Sequence, residues 1–448
     1  MADLLESKKL LPAPPACIFL AGPEAGSLAR SLSEAGYTVT MDPTPAESQD
    51  AAVLSGPVQP EALAAARRLL KDKGRLVVAS PPEDFQPLAV ALSEVGFVLL
   101  KPDGVARKED YFVREYREGD EEQILPMFQR SFYVQRSLAR WAWEYRENPY
   151  GTLRISEAFT GDGKLVAHYA GYPVRFHDET RGGEPRKLPA LQIGDTMTEP
   201  AFRHVGRGPT SLLGRTVRHF YARFCEGQVA FNYGFNTGNI QRFSMSFVGA
   251  RRLESLPFHV LDLEKRPIAV IPPNRFLSRL AGYRVERIAH FDARWDEFFR
   301  RVSGSYRLLV ERDARYLEWR YARCPEPESF LYAVFRGVRR SRLVGWSVFR
   351  YKEGRLRWGD ALFDPHHPGA VRQLLTAVLT APEHRQAKIL ETWITSRPAW
   401  WRETLLALGF ESRPEPDDLG FVFVPFGEDP EEAFRAHLYY TMGDSDLF

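Results

Sequence analysis

Ile193-Gly194-Asp195-Thr196-Met197-Thr198-Glu199-Pro200-Ala201-Phe202-Arg203-His204-Val205-Gly206-Arg207-Gly208-Pro209-Thr210-Ser211-Leu212-Leu213-Gly214-Arg215-Thr216-Val217 is the stretch that decides how the middle of this chain is read. It begins as a strand and ends with helical spacing, and Arg203-x-x-Gly206-x-Gly208 lies between. A turn of small residues opening a helix aims unpaired backbone N–H groups at one point, and the helix dipole adds positive potential there. Glycines let the backbone approach an anion with no Cβ in the way. The segment therefore predicts a cradle for a pyrophosphate, with Thr210 in the first helical turn offering a hydroxyl donor. Strand residues alternate in facing, so Asp195, Met197 and Glu199 share one face and Thr196 and Thr198 the other.

Working outward, the patterning predicts a strand from Tyr111 to Tyr116. Asp120 and Gln123 have the spacing of a capping box that opens a helix running to Phe132. Long strands are expected from Leu165 to Phe176 and from Leu188 to Met197, with a charged insert, His177 to Lys187, between them. An amphipathic helix from Arg207 to Phe224 follows, then a strand (Val229 to Phe235), a helix (Ile240 to Val248) and a closing strand (Leu256 to Leu263). The last third of the chain repeats this order. Trp143-x-Tyr145-x-x-x-Pro149 recurs as Trp319-x-Tyr321-x-x-x-Pro325, and Gly194-Asp195-x-x-x-Glu199-Pro200 recurs as Gly359-Asp360-x-x-x-Asp364-Pro365. Landmarks in the same order at the same spacing imply an internal duplication. Glu264 to Ala281, rich in proline and without strand periodicity, reads as a linker.

The first hundred residues alternate short strands with helices, the pattern of a doubly wound, mainly parallel sheet. This part loosely resembles a methyltransferase-type Rossmann domain: LLKDKGRLVVAS looks like that family's helix, turn and strand, and Asp42 stands where an acidic residue would hold a ribose. The turn AGPEAGS has only Gly22 and Gly26 and lacks the close-packed glycines of a cofactor site, so the domain reads as degenerate.

The chain has 448 residues and a net charge of +2. Two or three domains are expected at that length, and the balanced charge gives no field for nucleic acid. The arginines Arg336, Arg339, Arg340 and Arg342 read as a solvated hairpin tip. Three cysteines, Cys17, Cys225 and Cys324, are odd in number and have no CxxC spacing, which argues against a disulfide framework and a structural zinc and fits a reducing, cytoplasmic setting. The N-terminus has no apolar core of a signal peptide, and no segment is apolar for long enough to span a membrane. His366-His367 lacks a third ligand, and no metal is expected.

The Arg203, Gly206 and Gly208 pattern, set between a strand and a helix and followed by Asn236-x-x-Asn239 entering a second helix, resembles the GNAT superfamily of N-acetyltransferases. The resemblance covers residues from about Tyr111 to Leu263 well, and by repetition a weaker one covers Val285 to Val424. The fold class expected is α/β: an N-terminal doubly wound domain (1–105), a GNAT-like mixed-sheet module (106–265), a linker (266–282) and a second, degenerate module (283–448). The resemblance implies acyl transfer from coenzyme A, with acetyl-CoA as co-substrate, to the amine of a small molecule or peptide. An oligomer is compatible with it. It places Met197, Thr198, Arg203, His204, Val205, Gly206, Arg207, Gly208, Pro209, Thr210, Asn236 and Asn239 at the cofactor. The family often has a tyrosine acid where this chain has Met245, so Tyr233, and also Tyr439 and Tyr440, become candidates. Asp195 and Glu199 are the nearest carboxylates for a base, although the recurrence of Asp195 as Asp360 also suits a structural role. Some GNAT-like enzymes bring their terminal carboxylate into the site, which makes Phe448 a further candidate. Trp141, Trp143 and Tyr145 line the acceptor region or belong to the core. The second copy has prolines, Pro365 and Pro368, where the loop should be; it is expected to be inactive toward coenzyme A and to wall an acceptor cleft. The alternative is a coenzyme-A-binding or scaffolding protein with no turnover.

Overall fold

The computed structural model describes residues 10–43, 46–101, 104–265, 282–337 and 342–448. Most of the expected linker, the extreme N-terminus, and Arg339 and Arg340 lie outside them.

The chain opens with β1 (Cys17–Ala21), α1 (Ala25–Glu34), β2 (Thr38–Thr40), β3 (Gln49–Leu54), α2 (Pro60–Leu69), β4 (Leu70–Val78), α3 (Gln86–Glu94), β5 (Phe97–Lys101) and β6 (Val105–Lys108). They form a sheet in the order β2-β1-β3-β4-β6-β5. The first four strands are parallel, as the alternation of strand and helix predicts. At the end of the sheet β6 turns back between β4 and β5, antiparallel to both. Alternate β1 residues serve opposite cores. Ile18 and Leu20 pack with Leu28 and Leu32 of α1, while Phe19 packs with the α2 and α3 residues Leu63, Leu69, Leu88 and Leu92.

The rest of the chain runs β7 (Tyr111–Glu115), α4 (Glu121–Phe132), α5 (Leu138–Tyr145), β8 (Arg154–Thr160), β9 (Leu165–Asp178), β10 (Arg186–Thr198), α6 (Leu212–Phe224), β11 (Phe231–Asn236), α7 (Gly238–Phe247), β12 (Arg251–Ser255) and β13 (Phe258–Asp262). It continues as β14 (Tyr283–Ile288), α8 (Ala293–Tyr306), β15 (Leu308–Val310), α9 (Ala314–Leu317), β16 (Phe330–Arg336), β17 (Arg342–Lys352), β18 (Arg355–Phe363), α10 (Gly369–Thr380), β19 (Ile389–Thr392), α11 (Trp400–Ala407), β20 (Glu411–Arg413), β21 (Gly420–Pro425), α12 (Glu431–His437) and β22 (Leu438–Tyr439). Apart from β15 and the last two elements, the second list repeats the first element for element. The architecture is mixed α/β with several mixed sheets.

Two compact units divide the chain: residues 1–135, 154–170 and 195–224, and residues 136–153, 171–194 and 225–448. The division crosses β9 after Ala170 and β10 after Gly194. The first unit holds the N-terminal sheet, α4, α6 and the β7-β8-β9 hairpin layer. Asp120 does not cap α4. Its carboxylate takes two hydrogen bonds from Arg114, at 2.6 and 2.8 Å, and one from Arg117 N. Gln123 instead braces the β8–β9 turn through Gly163 O and Leu165 N.

The second unit holds two sheets, β12-β21-β11-β10-β9-β15-β22 and β14-β16-β17-β18-β19-β13-β20. Each takes strands from the other copy, the first sheet β15 and β22 at its edge as well as β21. β21 lies between β11 and β12, antiparallel to both, and β13 lies between β19 and β20. The closing strand expected from Leu256 to Leu263 is β13, which begins just after Pro257, a residue with no amide to donate, and joins the other copy's sheet; β12, ahead of it, is a further strand outside the expected span. The repeated tryptophans meet here as well. Trp143 Nε1 donates to Trp319 O at 2.6 Å, Trp319 Nε1 donates to Trp143 O at 2.8 Å, and the rings stack 5.0 Å apart. This reciprocal pairing of equivalent residues is the structural counterpart of the sequence repeat. Trp141, Trp143 and Tyr145 are all core residues, at most 1% exposed.

Candidate active site

In the first unit, β10 ends at Thr198 and the chain turns through a short 3-10 segment, Pro200–Phe202, into the glycine loop. Arg203 folds back so that its Nε donates to Thr198 O at 3.2 Å, tying loop to strand. Gly206 has φ +70° and Gly208 φ +51°. A Cβ at Gly206 would lie 2.3 Å from Thr210 O and 2.8 Å from Ser211 Cα, so only glycine fits. The amides of Val205, Thr210 and Ser211 are spent on carbonyls of the turn. Those of His204, Gly206 and Gly208 take no acceptor among the described residues, and the exposed loop leaves them open to solvent.

The helix starts later than its spacing predicts. Gly208, Pro209 and Thr210 form a 3-10 turn, and α6 begins at Leu212 with Ser211 as its cap: Ser211 Oγ accepts from Gly214 N at 3.0 Å. The Thr210 hydroxyl donates to Arg207 O at 3.0 Å and so is already engaged within the turn. α6 is anchored from below by Arg215, which is buried and bonds Glu109, Phe97 O and Tyr111 O. Burial lowers its guanidinium to about 10 despite Glu109.

Asp195 sits at φ +50° in β10, a left-handed position within a strand. In the second copy the register slips at the equivalent point, between Trp358 and Asp360 of β18. Both Gly-Asp pairs thus mark an irregular point in the middle strand, a left-handed residue in the first copy and a register shift in the second. From Asp195 on, the alternation read from the sequence holds: Asp195, Met197 and Glu199 are buried, Thr196 and Thr198 less so. Glu199 is committed to Arg130, whose Nη2 lies 2.8 Å from Oε2.

Two residues that the sequence reading did not single out lie in the same unit. Glu157 on β8 and His168 on β9 are both fully buried, with Oε1 and Nδ1 3.4 Å apart. Burial raises the Glu157 carboxyl to about 7, with His168 pulling the other way and Asp120 adding to the rise. The available signal was His168 inside the apolar run 165–174; Glu157, in a strand that also carries Arg154, Ser156 and Thr160, gave none. Behind the sheet, His219 of α6 bridges Ser156 Oγ (2.8 Å) and Glu94 (3.2 Å). Ser156 is fully buried, so this line of groups holds α6 to α3 and β8.

The remaining sequence candidates lie in the second unit. Tyr233 is in an aromatic core with Phe176 and Phe421, and its hydroxyl has no partner among the described residues. Burial holds that phenol well above its ordinary range. The Asn236 carbonyl accepts from Gln241 Nε2, and Asn239 accepts from Arg242. Met245 is half exposed on α7. Tyr439 donates to Ala361 O and is core, as is Tyr440.

Phe448 lies over the second copy. Its ring covers Gly359, where a Cβ would be 1.7 Å from the ring carbon, and its backbone oxygen accepts from Arg320 at 2.6 Å. Asp360 binds Arg312, Tyr321 (2.7 Å) and Thr441 (2.9 Å), and Arg312 reaches on to Asp444 at 2.7 Å. Asp360 thus pins residues 441–448 to the sheet. Beside them is a groove of about 630 Å³, lined by Arg355, Arg357, Glu391, Trp393, Arg413 and Leu447 among others.

His366 N is held by Asp364, and His367 by Arg336. Among the described residues no three His, Cys, Asp or Glu side chains gather as a metal site requires, and no helix is long and apolar enough to cross a membrane.

No protein family and no curated protein matches the chain. Solved structures of similar fold include a GCN5-related N-acetyltransferase from Kribbella flavida, 16% identical with a TM-score of 0.48 over 70% of each chain. N-myristoyltransferase of Saccharomyces cerevisiae with bound myristoyl-CoA is 11% identical, with a TM-score of 0.46 over 70% of this chain and 82% of that one. A tandem GNAT protein from the clavulanic acid biosynthesis pathway is 13% identical, with a TM-score of 0.43 over 71% of this chain and 99% of that one. At these identities and TM-scores the likeness carries no conclusion about this chain's chemistry.

Proposed function

We propose that this chain is an acyl-CoA-dependent N-acyltransferase, moving an acetyl or longer acyl group to the amine of a small molecule or peptide. The observation that carries the reading is the loop at the head of α6, with three open amides, at His204, Gly206 and Gly208, in a conformation that only glycine permits at position 206. Such a cradle suits a pyrophosphate. Arg203 through Thr210 would hold it, and the Met197 or Thr198 N–H at the strand end would steady the thioester oxygen as charge develops. Thr210 would contribute through the shape of its turn, since its hydroxyl is spent. Asn236 and Asn239 stay in the proposal as cofactor-binding residues. Asp195, Tyr233 and Phe448 remain candidates for proton transfer. For Phe448, the contacts with Gly359 and Arg320 favour a positioning role.

The N-terminal sheet serves as scaffold in this reading. A Cβ at Gly22 would be 1.9 Å from Ser55 O, and Glu24 N already donates to Ser55 Oγ, so the first turn is filled by its own chain.

Calorimetric titration with acetyl-CoA and a longer acyl-CoA tests the proposal. Micromolar binding is expected, lost in Gly206→Ala and weakened in Arg203→Ala. Absence of binding in the wild type would overturn it. Binding without thiol release toward any of a broad panel of amines would instead favour the non-catalytic coenzyme-A-binding reading, which the half-exposed Met245 on α7 supports.

A further inference from the structure

We propose that Glu157 and His168 form the proton-accepting pair of the acyl transfer, with His168 Nε2 taking the proton of the acceptor's ammonium group. The inference rests on the acyltransferase reading and adds to it a proton acceptor, since Glu199 is committed to Arg130.

Three observations carry it. First, the pair is buried and incompletely satisfied. His168 Nε2 has no hydrogen-bond partner among the described residues, while the Glu157 carboxyl meets the Asp120 carboxyl and lies 3.8 Å from Arg114. Leaving a ring nitrogen unpaired away from bulk water is costly, and an orphan of this kind suits a bound water, a ligand or a proton-transfer role. Second, the neighbours do not neutralise the pair. Arg114 stands 3.8 Å from Glu157 Oε2, but both of its terminal nitrogens are held by Asp120. The charged groups facing Glu157 are therefore Arg114 from β7, Asp120 from the head of α4 and His168 from β9. The first is already paired, and the second is an acid that favours the protonated carboxyl. A group so placed ionises in the neutral range, where a general base works best. Third, the pair is beside the strand end that the loop follows. Val166 O accepts from Glu199 N at 2.9 Å. Two residues along each antiparallel strand, His168 comes level with Met197, on the face that also carries Glu199. Glu199 is committed to Arg130.

The chemistry balances without a further reactant. With Nδ1–H directed at Glu157 Oε1, the free lone pair is on Nε2. Nε2 takes one proton from the ammonium. The freed amine forms the C–N bond as the C–S bond breaks, and the thiolate leaves with the electron pair. The second nitrogen proton goes to the thiolate.

The test uses the full chain and has an arm independent of activity. Carboxyl and imidazole NMR of isotope-labelled protein should show one glutamate titrating in the neutral range, absent in Glu157→Gln, and His168 in the Nδ1–H form. Titration of Glu157 in the ordinary carboxylate range, or the opposite tautomer, would overturn the proposal. In the second arm, thiol release from acetyl-CoA is followed with methylamine and with hydroxylamine, which is already unprotonated at pH 8. Glu157→Gln and His168→Gln should lower kcat for methylamine on the order of a hundredfold or more, leave acetyl-CoA affinity unchanged, and cost far less with hydroxylamine. Equal losses with both amines, or turnover within twofold of wild type, would sink the pair. A wild type that binds no acetyl-CoA would sink the acyltransferase reading itself.

Discussion

Single atoms decide several positions here. Gly359 is glycine because the Phe448 ring lies where its Cβ would be. Gly359→Ala should therefore displace residues 445–448 and cost about 1–3 kcal/mol as an overpacked site, read as a lower midpoint in urea with an unchanged slope. An unchanged midpoint would show that the ring is held only loosely. Glu157 predicts a pH dependence. Its folded-state value, about 7, lies above the ordinary carboxyl value of 4.5. Between those values the folded chain holds the extra proton, so this contribution to stability is full below the lower value and lost as pH rises through the upper one. The stability of wild type relative to Glu157→Gln should fall by about 3 kcal/mol between pH 4.5 and 7.5. A flat difference would mean that the carboxyl is ionised throughout.

Among elements, the strand exchange and the tryptophan pair dominate. Trp143 and Trp319 are nearly fully buried, stack on each other and trade hydrogen bonds. Removing either ring should cost about 3–5 kcal/mol. Because each ring supports the other, the double substitution should cost less than the sum, which denaturant unfolding of the four proteins would measure. The loop before α6 illustrates the limits of pattern. Its residues were legible as a motif, and the glycine geometry agrees with it. The start of the helix was not legible, since Pro209 suits a first helical turn as well as the 3-10 turn in which it sits. Asp120 and Gln123 had capping spacing, yet Arg114, on the preceding strand, and the β8–β9 turn claimed their side chains, and spacing within the helix start does not reveal either competitor.

For the whole molecule, β13 and β21 make the two copies interdependent. Residues 1–265 alone would leave the space between β11 and β12 unfilled, and residues 282–448 alone would lack the strand between β19 and β20. Each piece would expose unpaired strand edges, which promote association. Expressed separately they should be insoluble or aggregated, and co-expressed they should co-purify. A soluble monomer of either piece, with full secondary structure by circular dichroism, would contradict this.

By itself the sequence determined the α/β class, the parallel N-terminal sheet, the duplication and the glycine loop, because each is written in local periodicity, turn chemistry and repeated spacing. It could not assign β13 to the other copy's sheet, since a strand's pattern states which face is apolar and not which neighbour it pairs with. Nor could it bring Glu157 beside His168, or Phe448 onto Gly359. Phe448 and Gly359 are far apart in the chain, and Glu157 and His168, eleven residues apart on adjoining strands, meet only in one register; the assembled sheets, by excluding water and setting register, decide which side chains meet.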